Sequence, residues 1–305
     1  MQIVRGLQSF PPDGRASAVA LGAFDGIHLG HRAILARAVA LARQHGLAAV
    51  ACTFDRHPLE VLQPERAPLP ITTLEERLEL IAAIGVDATL VLPFTADLAR
   101  VEPEAFVADV LGRRLSAREV VVGFNHRFGR GARGDAALLG ELSGAGGFRV
   151  HVMPPLQVDS VPVSSSEIRI ALQVGDVQRA ARFLGRPYSV AGEVVAGDGR
   201  GRTLGFPTAN VKADRPVLVA RGVYSAGAEV DGRAWRAVVN VGVRPTFGDN
   251  ALAVEAHVLD FSGNLYGRRV TLRFVARIRD ELKFSSVDAL RGQIARDVAA
   301  ARAGG

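Results

Sequence analysis

Short apolar runs alternate with helical patterns over the first 185 residues. Ala18–Leu21 and Leu47–Phe54 are predicted as buried strands, and Arg32–Gln44 between them carries apolar residues at helical spacing until Gly46. The remaining predicted strands are Thr89–Leu92, Val120–Val122 and Phe148–Val152. The remaining predicted helices are Thr72–Ala83, Pro103–Leu111 and Ala136–Leu142. Because this alternation gives a parallel sheet covered by helices on both faces, we predict a Rossmann-like α/β domain over residues 1–185.

The pattern changes after Gly185-Arg186-Pro187. The strand-like segments that follow are Tyr188–Val195, Val223–Val230, Ala234–Val239, Val254–Leu259 and Val270–Ile278. Asp231-Gly232 is a strong signal for a two-residue hairpin turn. A last helix, capped by Ser285 or Ser286, has a predicted apolar stripe of Val287, Leu290, Ile294 and Val298. Five or six strands with one closing helix predict a small antiparallel β-barrel domain with a C-terminal helix over residues 186–305.

Composition narrows the class of protein. The 305 residues are 48% hydrophobic and 22% charged, which is the balance of an ordinary globular protein. We expect neither a membrane span nor a secretion signal, since no apolar run approaches the roughly 20 residues that a bilayer requires. Cys52 is the only cysteine, which excludes an intramolecular disulfide and a cysteine-based zinc site. A reducing cytoplasm is the expected location.

The net charge of +6 raises the question of nucleic-acid binding. Only Lys212 and Lys283 are lysines among the 37 basic residues, and the arginines are scattered among acidic residues. We therefore expect no nucleic-acid partner. Because arginine is suited to bidentate phosphate contact, a few arginines are expected to meet a small phosphorylated ligand.

The segment Gly22–His31 lies between a predicted strand and a predicted helix. Its glycines allow the backbone to approach a ligand closely, and a helix start offers free N–H groups to phosphate. His28 and His31 are three residues apart, so both can face one ligand and donate hydrogen bonds to phosphate oxygens. Two other interpretations are helix-capping histidines and a zinc pair completed by His57. Phosphate binding is favoured, because no metalloenzyme pattern surrounds His57.

Two further segments suit anionic ligands. Val121–Asp135 follows a strand, is dense in glycine and arginine, and ends in a helix. Val163–Arg169 places serines at a helix N-terminus and an arginine one turn in, which suits a triphosphate. Each alone would be an unremarkable loop or cap. Together with Gly22–His31 they predict phosphate chemistry at the carboxyl ends of the strands.

These motifs, together with Thr53–Pro58, resemble the bacterial bifunctional riboflavin kinase/FMN adenylyltransferase family, also called FAD synthetase. The resemblance implies that the N-terminal domain is a nucleotidyltransferase in which His28 and His31 hold the ATP phosphates while the FMN phosphate attacks the α-phosphorus. The ATP-binding residues that it implies are Gly22, Phe24, Asp25, Gly26, His28, His31, Ser164, Ser165 and Arg169. The implied FMN-binding residues are His57, Asn125, Arg127 and Asp135.

The C-terminal half carries a second set of motifs of the same family. Gly201–Asn210 resembles the riboflavin kinase nucleotide loop, followed by Gly222–Tyr224, Asn240–Phe247 and Val254–His257. The ATP-binding residues implied for the kinase are Gly201, Gly205, Pro207, Thr208 and Asn210. Thr208 and Asn210 also offer oxygens to Mg²⁺ or another divalent cation. The resemblance makes Glu255 the catalytic base for the riboflavin hydroxyl; the alternative is an outward-facing strand carboxylate.

The chain departs from the family pattern at Arg56, where proline is common, and at Asn125-His126, which replaces an acidic-aromatic pair. Two other functions share some of these features: a class I aminoacyl-tRNA synthetase, which has the same HxGH helix entrance, and a flavin- or nucleotide-sensing protein without catalysis. The first is disfavoured by the scarcity of lysine, and the second by the presence of Glu255. Riboflavin, FMN and ATP are thus the expected ligands, with self-association left open.

Overall fold

The computed structural model describes residues 1–7, 15–197, 200–243 and 252–303. The chain divides into two compact units, Met1–Ser165 and Ser166–Gly305. This division differs from the predicted one at residue 186, because two helices that precede residue 186 cluster with the second unit. Where the functional domains divide stays a prediction. Among the described residues, no helix has both the length and the apolar character that crossing a membrane requires.

Strands and helices alternate along the described part of the first unit. The strands are β1 (Gln2–Arg5), β2 (Ser17–Leu21), β3 (Ala48–Phe54), β4 (Ala88–Leu92), β5 (Ala117–Gly123) and β6 (Arg149–Met153). The helices are α1 (Leu29–His45), α2 (Leu59–Leu62), α3 (Leu74–Ala82), α4 (Ala96–Ala99), α5 (Pro103–Phe106), continued by a π-helical segment (Val107–Arg114), and α6 (Ala136–Gly146). A small hairpin follows, formed by β7 (Gln157–Val158) and β8 (Val161–Pro162).

The sheet order is β1-β4-β3-β2-β5-β6, and every neighbouring pair is parallel. The predicted α/β class is confirmed. Its cause is visible in β2, where Ala18 and Ala20 join one apolar cluster and Val19 and Leu21 join another. A strand buried on both faces reads as a continuous apolar run, which is why Ala18–Leu21 could be recognised. The edge strand β1 was not predicted; its sequence QIVR contains only two apolar residues.

Local signals set the helix ends of this unit. Gly46 has a φ of 65° and ends α1 in the left-handed conformation, as predicted. Of the two overlapping capping boxes at α3, the structure forms Thr73 with Glu76. The Thr72 hydroxyl instead accepts a hydrogen bond from the Gly26 amide at 3.1 Å and so joins the glycine-rich loop.

The second unit begins with two helices and continues as a closed barrel. The helices are α7 (Ser165–Gln173), whose first residue ends the first unit, α8 (Val177–Leu184), α9 (Arg200–Thr203) and α10 (Val287–Ala303). The strands are β9 (Ser189–Val195), β10 (Ala209–Ala213), β11 (Gly222–Val230), β12 (Arg233–Val243), β13 (Leu252–Val258) and β14 (Arg269–Arg279).

The barrel order is β10-β13-β12-β11-β14-β9, closed by antiparallel pairing of β9 with β10. The predicted antiparallel barrel is confirmed. Asp231 and Gly232 have φ values of 50° and 75° and form the predicted turn between β11 and β12. The sixth strand is β10, which was predicted only as part of the nucleotide loop.

The C-terminal helix α10 packs on the barrel by its last turns. The Ser286 hydroxyl accepts from the Ala289 amide at 3.1 Å and so is the cap. The prediction that Val287 belongs to the apolar stripe was wrong, because its side chain is 64% exposed at the first turn. The contact with the barrel begins later, where Val298 and Ala301 lie in the apolar cluster that includes Val223.

Candidate active sites

Three of the predicted ligand loops begin at adjacent strand ends. In the sheet, β2 lies between β3 and β5, and all three strands run parallel. Gly22–His28 follows β2, Asp55–Pro58 follows β3, and the segment to Asp135 follows β5. The strand order reverses between β2 and β5, and ligands of such sheets bind at the carboxyl ends of the strands beside this reversal. The fold therefore brings the three loops to one edge.

His28 and His31 form a stacked pair at the start of α1. Their ring centroids are 3.6 Å apart, with an angle of 20° between the planes. His28 is the N-cap, and its Nδ1 accepts from the His31 amide at 3.2 Å, which leaves the proton of the neutral His28 ring on Nε2. Burial, His28 and Arg77 together hold the pKa of His31 well below its ordinary value. Two neutral imidazoles at a helix N-terminus can each donate one hydrogen bond to an anion.

The loop before this pair has an unusual backbone. Phe24 and Ile27 are almost fully buried, yet their φ values are 53° and 39°. The Phe24 ring meets the His31 ring edge-on, at 5.4 Å between centroids. A Cβ at Gly22 would lie 2.7 Å from the Phe24 ring, and Gly26 has a φ of 81°. Glycine is therefore required at both positions.

Asp25 is 8% exposed and anchors the loop within the protein. Its carboxylate accepts from the Ile71 amide at 3.0 and 3.1 Å and from the Thr72 amide at 3.2 Å. Its backbone carbonyl accepts from the Ser165 hydroxyl at 3.0 Å, which brings Ser165 to the loop. A direct contact of the Asp25 carboxylate with ATP stays a prediction, as do the roles of Ser164 and of Arg169, which belongs to the second unit.

His57 lines a cleft of about 170 Å³ together with Asp25, Thr72 and Arg77. Its Nδ1 accepts from the Leu59 amide at 3.1 Å, so the neutral ring again carries its proton on Nε2. Arg56 lines the same cleft and pairs with Asp55 at 3.0 Å. The structure thus joins the second loop to the first through this cleft.

The loop after β5 is organised by its own polar residues. Asp135 caps α6 by accepting from the Leu138 amide at 3.0 Å, and it pairs with Arg127 at 3.2 Å. Asn125 is exposed at the strand end. His126 stacks on Phe128 with centroids 5.8 Å apart, and burial lowers the pKa of His126 to about 4. The neutral His126 ring therefore packs on Phe128 as a planar, uncharged group.

In the second unit, the predicted nucleotide loop folds onto the outer face of the barrel. A Cβ at Gly201 would lie 2.4 Å from the Phe206 carbonyl, so only glycine fits, and Gly205 has a φ of 86°. The Pro207 carbonyl accepts a hydrogen bond from His257 Nδ1 at 2.8 Å. The loop is thereby fixed against β13, and the exposed Thr208 follows directly.

Three polar residues face each other across adjacent strands of the barrel. Glu255 on β13 stands opposite Asn210 on β10 and opposite Asn240 on β12. Directly opposed residues of antiparallel strands share one face, and the buried neighbours Val254 and Ala256 take the other. Asn210 is 9% exposed, and its Oδ1 has no hydrogen-bond partner among the described residues. A carboxylate beside a buried amide oxygen suits a base and a cation ligand.

Comparisons with known proteins agree with this geometry. The family model for FAD synthetase matches residues 11–167, and the model for riboflavin kinase matches residues 184–304. A bifunctional riboflavin kinase/FMN adenylyltransferase from Pseudomonas fluorescens is 39% identical over 304 residues, covering 99% of this chain and 97% of the relative. The chain belongs to this family. The Escherichia coli K12 member is 36% identical over 308 residues, covering 99% and 97%.

One solved structure shares the fold over the whole chain. It is a Streptococcus pneumoniae protein named Macrolide-efflux Protein, with 31% identity, a TM-score of 0.91 and 99% of both chains covered. The resemblance, the fold class and the two enzyme classes predicted from the sequence are therefore confirmed. The family motif at 244–247 lies outside the described residues.

Sequence reasoning missed Arg77. It is 6% exposed and donates to the Ala23 carbonyl at 2.9 Å and to the Phe54 carbonyl at 2.8 Å. A signal was present, since Leu74, Arg77, Leu78 and Ile81 follow the i, i+3, i+4, i+7 spacing of a buried helical stripe. An arginine on such a stripe indicates that polar groups under the helix need a buried hydrogen-bond donor.

Proposed function

We propose that the first unit transfers the adenylyl group of ATP to FMN. An oxygen of the FMN phosphate attacks the α-phosphorus, the bond from that phosphorus to the bridging oxygen breaks, and pyrophosphate leaves. His28 and His31 donate hydrogen bonds to the phosphate oxygens as charge develops on them. The stacked histidine pair at the start of α1 is the observation that carries this assignment.

The remaining assignments for this reaction follow the motifs. Gly22, Phe24 and Gly26 shape the ATP loop, and Ser164, Ser165 and Arg169 approach the triphosphate. His57, Asn125 and Arg127 hold FMN, and Asp135 belongs to the same proposed FMN site. The hydrogen bonds of Asp25 and Asp135 to backbone amides support a positioning role for these two carboxylates rather than direct contact with the ligand.

We propose that the barrel phosphorylates riboflavin. Glu255 takes the proton of the ribityl hydroxyl, the oxygen attacks the γ-phosphorus of ATP, and ADP leaves. Gly201, Gly205 and Pro207 form the loop around the nucleotide. The position of Glu255 between Asn210 and Asn240 supports the base assignment over a solvent-facing strand carboxylate.

The kinase site suits a divalent cation. The buried Oδ1 of Asn210 has no protein partner among the described residues, and oxygen is the ligand that Mg²⁺ prefers. Thr208 and Asn210 would hold the ion. When bound, it would neutralise charge on the transferring phosphate.

Two variants test the two assignments separately. Glu255→Gln should abolish most FMN formation while added FMN is still converted to FAD. His28→Ala should leave the kinase active and let FMN accumulate. Flavins are separated by chromatography during a time course with riboflavin, ATP and magnesium. A parallel fall of both activities in either variant would contradict the separation of the sites.

The proposal includes a cellular setting. A reducing cytoplasm fits the single cysteine, and the burial that raises the pKa of the Cys52 thiol to about 12 makes this thiol unreactive. The absence of a nucleic-acid partner stays a prediction, and self-association stays open.

A further inference from the structure

Arg77 is a charged residue on the otherwise apolar buried stripe of α3. Its neighbours on that stripe, Leu78 and Ile81, are 4% and 0% exposed, and Arg77 itself is 6% exposed. Burying a guanidinium is unfavourable unless its charge and its N–H groups find partners. Burial lowers the pKa of the Arg77 guanidinium. The nearby Asp25 and Asp55 carboxylates raise it and so offset part of this effect, but the pKa stays below its ordinary value.

The Arg77 side chain joins the ends of two strands. Its Nη1 lies 2.9 Å from the Ala23 carbonyl, 2.8 Å from the Phe54 carbonyl and 3.4 Å from the Thr53 hydroxyl oxygen. The Thr53 hydroxyl in turn donates to the same Ala23 carbonyl at 3.0 Å. Ala23 follows β2, and Phe54 ends β3. One buried cation therefore fixes the first residues of both candidate ligand loops.

The segment that Arg77 fixes is strained. Phe24, the residue after Ala23, has a positive φ although it carries a large side chain. Such a conformation persists only where surrounding contacts determine it. The contacts on one side of Phe24 are the bonds from Arg77 and Thr53 to Ala23, and on the other side Asp25 is bound to the Ile71 amide. The Phe24 ring held in this way meets the edge of His31.

We propose that Arg77 is a positioning residue for adenylyl transfer: through the Ala23 carbonyl it holds Phe24 in place, and Phe24 holds the His31 ring stacked on His28. This inference rests on the proposed function of the first unit. It also assigns Thr53 a supporting part, since its hydroxyl shares the same carbonyl.

The positive charge of Arg77 also affects the protonation of His31, which stacks on His28. The groups that lower the pKa of His31 besides burial are His28 and Arg77. His31 Nδ1 is buried without a hydrogen-bond partner among the described residues, so protonating it would add an unpaired buried donor. Arg77 thus favours the neutral ring. Removing its charge raises the pKa of His31 and extends protonation of that ring to higher pH.

The test compares Arg77→Met with Arg77→Lys. Methionine removes donors and charge, whereas lysine keeps the charge and can donate to both carbonyls. We expect Arg77→Met to lower kcat for FMN adenylylation about a hundredfold, with KM for ATP changed less than about threefold. The acid limb of its pH profile should move to higher pH. Arg77→Lys should recover at least about a tenth of the activity, with the pH profile of the unmodified chain.

Two controls separate positioning from general damage. In the first control, riboflavin kinase activity is measured in the same samples and should stay within about twofold. The second control is Arg113→Met, which changes an arginine whose side chain is 77% exposed and should leave both activities unchanged. If Arg77→Met does not fold, Thr53→Val decides, because it removes only the hydroxyl that donates to Ala23. A loss of adenylylation of about threefold or more in Thr53→Val then supports the proposal.

Three results would overturn the inference. These are equal losses of both activities, an unchanged pH profile in a folded Arg77→Met protein, and full activity of Thr53→Val where Arg77→Met is unfolded. Failure of the proposed function is distinguishable, because the unmodified chain would then convert no added FMN to FAD.

Discussion

Replacing Gly22 with alanine probes how tightly the first site is built. The new Cβ would lie 2.7 Å from Cε1 and 3.0 Å from Cδ1 and Cζ of the Phe24 ring. Carbon atoms pack at about 3.5–4.0 Å, so the ring has to move by about 1 Å. Phe24 is fully buried, and such overpacking costs about 1–3 kcal/mol. The ring cannot move without disturbing the edge contact with His31.

The catalytic effect should exceed the effect on stability. A misplacement of about 1 Å in a catalytic group lowers a rate by about a hundredfold, so FMN adenylylation by Gly22→Ala should fall by that order. The assay follows FAD formation from added FMN and ATP, with riboflavin phosphorylation in the same sample as the internal control. Kinase activity should be unchanged, because Gly22 and the barrel belong to different compact units.

The matched control is Gly140→Ala, within α6. A Cβ at Gly140 meets nothing within 4 Å, and alanine favours a helix over glycine by about 1 kcal/mol, so both activities should persist. Folded Gly22→Ala protein that adenylylates FMN within about threefold of the unmodified rate would refute the link from Gly22 through Phe24 to His31.

Two further predictions concern other buried polar groups. Glu119→Gln should destabilise the protein by about 2 kcal/mol at pH 7, because Glu119 is 1% exposed and bonds to His151 at 2.6 Å and to Arg149 at 3.1 Å. Burial opposes ionisation, but these bonds outweigh it and lower the pKa of Glu119; the stabilisation is therefore lost as pH falls through that lowered value. Denaturation at pH 7 and at about pH 3 should show the difference shrinking, and a constant difference would contradict it. Asn210→Leu should abolish kinase activity while the melting temperature stays equal or rises, because it removes a buried oxygen without a partner; a fall in melting temperature with the kinase intact would contradict this.

The features of the fold that follow from local periodicity could be predicted from the sequence. Strand β2 is a continuous apolar run because both faces of the sheet are covered, and Gly46 marks the end of α1. Strand β10 could not be recognised in the same way. Its sequence ANVKA alternates apolar and polar residues, but the run is only five residues long and overlaps the nucleotide-loop motif at Ala209 and Asn210. Its place in the barrel comes from pairing with both β9 and β13. A five-residue alternation does not identify the partners of such long-range pairing.

The candidate sites show the same division. The motifs locate the loops, because glycine and histidine at a strand-helix junction have a local physical meaning. They do not tell which polar residues the protein uses for its own hydrogen bonds. Thr72 was predicted as a helix cap, yet its hydroxyl binds the Gly26 amide, 46 residues earlier in the chain. Arg77 reaches Ala23 across a similar separation. Such contacts depend on the packed fold.

Hydrogen-bond satisfaction divides the motif residues into two physical groups. Asp25 and Asp135 hold backbone amides, so their carboxylates already serve the shape of the loops. His31, His126 and Asn210 are different, since each has a buried side-chain nitrogen or oxygen atom without a hydrogen-bond partner among the described residues. A buried polar atom without a hydrogen bond is unfavourable, and a bound water, ion or ligand can supply the missing partner. His31 belongs to the proposed adenylyltransferase site and Asn210 to the proposed kinase site. Each proposed site therefore contains a buried polar atom that the described residues leave without a hydrogen bond. At Asn210 this atom is an acceptor oxygen, which a divalent cation in the proposed kinase site would satisfy.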